Sequence, residues 1–327
     1  MKRLFVTFIL VSGLWSLVSA PVFAMGVKPP ITPEAVPTVK LVKTYGLPGS
    51  GDGQFFYPSD VYVTTIGDIS TPLGSLFVVD SGNNRIQRID KDGFFLYQFG
   101  SFGTDPGRFN TPIGITVDFN YRIYVTDKEN DRIQAFDIRG NFDHSFGTQG
   151  MAMGEVEDPH GICMDNIGNL YVADSGNDRI QKFHPSGTAL GVVGSFGWGE
   201  GFFDKPQDVA VDRDRNIYVA DTGNHRIQKL DEYGRPIWVR GKMGQGPAEF
   251  YKPQGIAVDE KHVYVSDSGN DRIQIFDKDG NFILVFGKLG TFPGEFSSPA
   301  GIGLGKEGEI FIADTNNHRI QQFLIRP

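Results

Sequence analysis

Ala173-Asp174-Ser175-Gly176-Asn177-Asp178-Arg179-Ile180-Gln181 is one of six copies of a single phrase. The others are Val79 to Gln87, Thr126 to Gln134, Ala220 to Gln228, Ser266 to Gln274 and Ala313 to Gln321. Their arginines (Arg85, Arg132, Arg179, Arg226, Arg272 and Arg319) step by 47, 47, 47, 46 and 47 residues. A second set of markers keeps the same period. Pro58, Pro112, Pro159, Pro206, Pro253 and Pro299 each begin a short apolar stretch. A phenylalanine or valine (Phe55, Phe109, Val156, Phe203, Phe250, Phe296) stands three residues before each proline, and a glycine (Gly46, Gly100, Gly147, Gly194, Gly241, Gly287) stands twelve before. Self-similarity at a fixed period of this length marks a repeat architecture.

Each unit reads as four short strands, of the types Ile256-Ala257-Val258-Asp259, Tyr171-Val172-Ala173-Asp174, Arg179-Ile180-Gln181-Lys182-Phe183 and Phe282 to Gly287. They are β-branched and aromatic, and Gly, Asn and Asp turns separate them. The Ser-Gly-Asn-Asp and Lys91-Asp92-Gly93 turns are expected to put glycine at positive φ. A four-stranded sheet of this size cannot stand alone, but six packed radially protect one another. The expected fold is all-β: a six-bladed β-propeller with four antiparallel strands per blade over residues 38–327. The sixth copy ends near Phe323, too late for a fourth strand. Val39 to Gly46 has the fourth-strand pattern with no partners before it, so the N-terminal strand is expected to close the last blade.

Residues 1–24 have the form of a secretory leader: Met1, Lys2 and Arg3, an apolar run from Leu4 to Val18, then Val22-Phe23-Ala24, with cleavage expected after Ala24. Residues 25–37 form a linker rich in proline (Pro29, Pro30, Pro33, Pro37). Loss of Lys2 and Arg3 would take the formal net charge from −8 to −10. An acidic domain repels phosphate backbones, so nucleic acid is a poor partner. The one cysteine, Cys163, forbids an internal disulfide. No second apolar stretch reaches the roughly 20 residues of a membrane span. A periplasmic or extracellular monomer is expected.

These repeats resemble the NHL-repeat family, through an Asp followed by Asn-x-Arg-Ile-Gln at one spacing in all six copies. Four copies also place Gly before the Asn; Glu129 and Asn316 depart from this. The resemblance implies a six-bladed propeller, in a family that holds protein-binding modules, RNA-binding modules and peptidyl-hydroxyglycine lyases.

Features repeated six times are architecture. Asp80 with Arg85, and likewise Asp127 with Arg132, Asp174 with Arg179, Asp221 with Arg226, Asp267 with Arg272 and Asp314 with Arg319, are expected to form bidentate, half-buried structural pairs. Function should show where the blades differ. The residues after the prolines (Ser59, Ile113, His160, Gln207, Gln254, Ala300), and those next (Asp60, Gly114, Gly161, Asp208, Gly255, Gly301), should ring a central channel. Ser59, Asp60, His160, Gln207, Asp208 and Gln254 are the candidate binding residues; no catalytic or metal residue is assigned. In the lyases that the family includes, Pro-His steps in three blades supply a zinc triad; only Pro159-His160 matches here. A channel calcium, as in six-bladed lactonases, would find Asp60 and Asp208 but not the expected Asn and Glu partners. No Gly-x-Ser-x-Gly occurs. Two irregularities stand apart: an insertion around Ile66 to Ser75 in blade one, and Lys128-Glu129 replacing Ser-Gly in blade two, which is expected to change the turn. Cys163 falls on a small apolar position of the first strand. The expected function is a non-catalytic scaffold for an exported protein or peptide, without cofactor. The alternative is a zinc- or calcium-dependent lyase or hydrolase of the channel.

Overall fold

The computed structural model describes residues 36–65 and 73–326. The leader and nearly all of the linker lie outside the described residues, as does the blade-one insertion apart from Leu73 to Ser75.

The described residues form six four-stranded antiparallel sheets arranged as the blades of a propeller. In blade one the strands run Asp60–Val63, Leu76–Asp80, Arg85–Ile89 and Phe95–Phe99, from the channel outwards. Blades two to five repeat this order. Blade six is built from Pro299–Leu304, Glu309–Asp314, Arg319–Arg326 and, as its outer strand, Thr38–Tyr45. That last pairing is antiparallel, from Thr38 opposite Arg326 to Tyr45 opposite Ile320. The ring is closed by the N-terminal strand, as its sequence pattern predicts.

Burial explains which strand becomes which. Second strands such as Leu170–Asp174 are buried at every position, so they are continuously apolar up to the closing aspartate. Fourth strands such as Phe95–Phe99 alternate between shielded and exposed, as outermost strands must. The core lies between blades: Phe77, Val79 and Ile86 of blade one pack on Ile115, Ile123 and Val125 of blade two. The Phe before each proline, replaced by Val156 in blade three, is a wedge in this seam. Phe109 is fully buried, with ring centroids 6.5 Å from Phe99 and 5.5 Å from Phe136. The glycine twelve before the proline makes room for it: Gly100 has φ +91°, and a Cβ there would lie 2.5 Å from the Phe109 ring.

The Asp-x-x-Asn-x-Arg-x-Gln signature has one purpose. In blade one, Asp80 accepts the Phe56 N–H at 2.7 Å, Arg85 Nε at 2.6 Å, Gln87 Nε2 at 3.0 Å and Asn83 Nδ2 at 2.9 Å. Asn83, Arg85 and Gln87 donate onward to the carbonyls of Gly49, Gly51 and Gln54. The motif thus clamps the loop that carries the chain inward to the first strand of its own blade. All six aspartates are fully buried, and each meets its arginine at 2.6 to 2.8 Å. The contact is through Nε to one carboxylate oxygen and not bidentate, because the terminal guanidinium nitrogens are drawn to loop carbonyls. Burial outweighs these bonds at Asp127, Asp221 and Asp314, whose carboxyls are pushed above the usual range.

The Ser-Gly-Asn turn also differs from expectation. Gly82 does not take positive φ; the left-handed residue is Asn84, with φ +53°. Glycine is needed at 82 because the Phe56 carbonyl would lie 2.5 Å from a Cβ there. Asn84 Oδ1 accepts the N–H of Thr111 at 2.8 Å, so it staples blade one to blade two. His225 and His318 occupy this position in blades four and six, and their Nδ1 atoms accept the N–H groups of Lys252 and Tyr57, both at 3.0 Å. Lys128-Glu129 does not change the turn: Lys128–Asn130 is the same 3-10 segment. What blade two lacks is the hydroxyl that Ser81, Thr222 and Thr315 donate to the proline carbonyl of the next blade.

Two outcomes follow. Asp174→Ala leaves Arg179 without its buried counter-charge and should cost about 3–5 kcal/mol in denaturant unfolding, whereas Asp143→Ala, at an exposed pair with Arg122, should cost under about 1 kcal/mol. Deleting residues 38–46 should bare the edge of blade six, lowering the calorimetric melting temperature and producing aggregates on size exclusion; an unchanged cooperative melt would deny the strand its closing role.

Candidate binding site in the central channel

The residues after the blade prolines meet around one cavity. Ser59, Ile113, His160, Gln207, Gln254 and Ala300 line it together with Asp60 and Asp208, and its volume is about 280 Å³. All six sequence-selected candidates are therefore in one place. A second chamber of about 250 Å³ lies further along the channel and shares Asp60 and Asp208, which stand at the waist between the two. Cys163 lines that second chamber; it is partly buried, and burial pushes its thiol well up.

The waist has a symmetry that inspection of single repeats misses. Asp60 and Asp208 belong to blades one and four, which oppose each other in a ring of six. Asp60 accepts the Val61 N–H at 2.8 Å and, from blade two, the Ile115 N–H at 3.0 Å. Asp208 accepts the Val209 N–H at 2.8 Å and, from blade five, the Ile256 N–H at 2.8 Å. Glycine admits each carboxylate: a Cβ at Gly301 would stand 2.1 Å from Asp60 Oδ1, and one at Gly161 would stand 1.9 Å from Asp208 Oδ1. The order Asp60-Gly114-Gly161 thus repeats as Asp208-Gly255-Gly301. The signal was present as a three-blade period, hidden beneath the stronger one-blade period.

Both carboxyls touch the channel but are otherwise enclosed by protein. Burial pushes Asp60 up to about 6. Burial, and then the negative charge of Asp60, push Asp208 well above the usual carboxylate range. Burial lowers the pKa of His160. Its Nδ1 lies 2.9 Å from the Asp158 carbonyl oxygen, which can only accept, so Nδ1 carries the proton and Nε2 is an acceptor. Among the described residues, His160 Nε2 and the side-chain amides of Gln207 and Gln254 have no protein partner. Ser59 Oγ is already engaged by the Ile113 carbonyl at 2.6 Å.

The donor set does not match a zinc triad: His160 is the one imidazole at the cavity, and among the described residues no three His, Cys, Asp or Glu side chains gather as metal ligands. For a calcium ion, Asp60 and Asp208 are the two carboxylates among the described residues lining the cavity, without the Asn and Glu partners expected of such a site.

A further feature of this face lies in loops that the repeat alignment leaves unremarked. Each loop running inward on the face where the cavity opens exposes a large apolar side chain. Leu47, Phe102, Met151, Trp198, Met243 and Phe292 are all between 64% and 76% exposed. Phe102 and Met243 share one repeat position and Met151 and Trp198 another, but neither position is apolar in all six blades, so the consensus does not reveal them.

Fold and channel together define a six-bladed β-propeller with one polar-floored cavity. Residues 157–183, 203–230, 250–276 and 296–323 match the family model described as NHL repeat; the chain is an NHL-repeat propeller. A human NHL repeat-containing protein 3 is 33% identical over 92 residues, which are 26% of this chain and 24% of that protein. The match therefore spans about a quarter of the relative's length. Among solved structures, a streptogramin B lyase has a TM-score of 0.59 at 14% identity, covering 89% of this chain and 98% of its own. A gluconolactonase from Xanthomonas campestris has a TM-score of 0.60 at 14% identity (84% and 88% covered). An auxiliary nutrient binding protein from Bacteroides ovatus has a TM-score of 0.62 at 14% identity (89% and 77% covered). At these identities the likeness is one of fold.

The buried carboxyl at the waist predicts a pH slope. The folded-state pKa of Asp60, about 6, exceeds the ordinary 3.8. As pH rises from about 4 to about 6 the unfolded chain ionises first, so stability is lost across that window, by about 3 kcal/mol at 1.36 kcal/mol per unit. Asp60→Asn, neutral throughout, should gain on the parent by that amount between pH 4 and 7 in denaturant titrations. Parallel curves for the two proteins would show that Asp60 does not titrate in this range.

Proposed function

We propose that the chain is an exported, non-catalytic scaffold that presents the cavity face of its propeller to a protein or peptide partner. The observation that carries this reading is the set of exposed apolar side chains on the face where the cavity opens, one from every inward loop. Solvent-facing Trp, Phe and Met clustered on one face are the composition of a protein-binding surface. They are mounted on loops that the buried aspartate clamps hold in place, so little ordering is needed on association. Beneath them, the cavity offers acceptors and no paired nucleophile and base. Export rests on the basic start, apolar run and Ala24 of the leader, and implies a mature protein beginning at Met25.

Affinity capture from the envelope fraction of the source cell tests the reading. Trp198→Ser with Phe292→Ser should weaken partner capture by roughly thirty-fold or more, as loss of interface anchors does. Phe94→Ser with Tyr233→Ser, at exposed hairpins of the opposite face, should leave it intact. Equal effects from the two pairs, or the absence of any captured partner, would defeat it. N-terminal sequencing of the mature protein should start at Met25; retention of Met1 would remove the export component.

A further inference from the structure

We propose that the channel cavity anchors a single donor-rich cation, an ammonium or guanidinium, that the partner inserts from the crowned face. This deepens the scaffold reading and rests on it for the identity of the partner.

Asp60 and Asp208 present carboxylate oxygens from opposite walls, each aimed by two backbone N–H groups that leave further lone pairs unused. His160 Nε2 is an acceptor because Nδ1 donates to the Asp158 carbonyl. The side chain is largely enclosed and lines the cavity, and its Nε2 has no protein partner. Gln207 and Gln254 can turn their carbonyls inward. Ser59, the one hydroxyl among the candidates, already donates to a backbone carbonyl. A cavity of convergent acceptors calls for a donor.

Charge points the same way. No Lys or Arg is among the described residues lining the cavity, so the two opposed carboxyls, which burial holds toward their neutral forms, have no cationic neighbour in its wall, and a bound cation would draw them to the ionised form. The channel walls contribute Ile113 and Ala300, apolar surface suited to the methylene stem of a long basic side chain. About 280 Å³ holds one such side chain or chain terminus, not a folded element. The chain's net charge of −8 favours a basic partner on approach.

Purified protein and short peptides test this directly. The probes are acetyl-Gly-Arg-Gly-amide, acetyl-Gly-Lys-Gly-amide, a citrulline analogue that keeps the shape of arginine without its charge, and triglycine-amide with a free amino terminus. Binding is followed by equilibrium dialysis and by the imidazole NMR signal of His160. At least one charged probe should bind tenfold or more above the citrulline peptide and shift the His160 signal. Whether a basic side chain or the free terminus binds best identifies the source of the cation. Asp60→Asn and Asp208→Asn should each lose tenfold or more. Ala300→Phe, which plugs the mouth but keeps both carboxylates, should abolish binding, so the proposal remains testable if the Asn variants melt early. Equal binding of the citrulline peptide, no binding by any probe, or displacement of the charged peptides by micromolar calcium or zinc would overturn it. Loss of partner capture in the crown variants with intact peptide binding, or the reverse, separates failure of this anchor from failure of the scaffold.

Discussion

A carboxylate buried at the end of each second strand organises the molecule. Left alone it would be one of the most unfavourable groups a core can hold. Here it collects an arginine, an asparagine, a glutamine and a loop N–H, and those side chains reach past it to the carbonyls of the same loop. The desolvation of one charge is thereby converted into the shape of an irregular segment of about a dozen residues that has almost no regular structure of its own. The path of that segment decides where the proline falls, where the seam phenylalanine enters, and where the chain turns into the channel. Six such clamps hold the mouth of the cavity in a fixed geometry.

Constant and variable positions are separated along each repeat. The Asp, Asn, Arg and Gln positions face inward onto the loop backbone and leave little to vary. The loop crest and the position after the proline face the solvent and the channel, and differ from blade to blade. Trp198 and Phe292 are exposed on segments whose backbone is held by Arg226 and Arg319 through the carbonyls of Trp198 and Phe292 themselves. The backbone beneath each of these exposed apolar side chains is thus held rigidly. The asymmetry of the channel arises in the same way: one scaffold position, filled by serine, isoleucine, histidine, glutamine, glutamine and alanine.

Much of this was legible in the amino-acid order because repetition averages out local ambiguity. The strand Ile256–Val258 is too short to identify alone, yet six parallel copies make its place plain. Closure by Thr38–Tyr45 was legible from an unpaired pattern at one end and a missing one at the other. The candidate channel residues were located because the proline marks where each first strand begins. What escaped depended on distances between repeats. Gly82 was expected to supply a backbone angle, but it supplies a gap for the Phe56 carbonyl, which belongs to a different loop. The arginine was expected to fork onto its aspartate, but competing carbonyls capture its terminal nitrogens. The opposition of Asp60 and Asp208 required folding the line of repeats into a circle, where residues far apart in sequence confront each other.

The join between Thr38–Tyr45 and Arg319–Arg326 sets an order of events in time. Five blades are assembled from consecutive hairpins, whose partners are neighbours along the chain and meet quickly. The sixth needs segments separated by 288 residues, as in the bond from Thr38 to the Arg326 carbonyl. Pairing at that separation is slow unless intervening structure has brought the ends together, and here the curvature of the first five blades does so. The ring is therefore a clasp that fastens last, at the outer edge of a blade whose three inner strands are already neighbours along the chain.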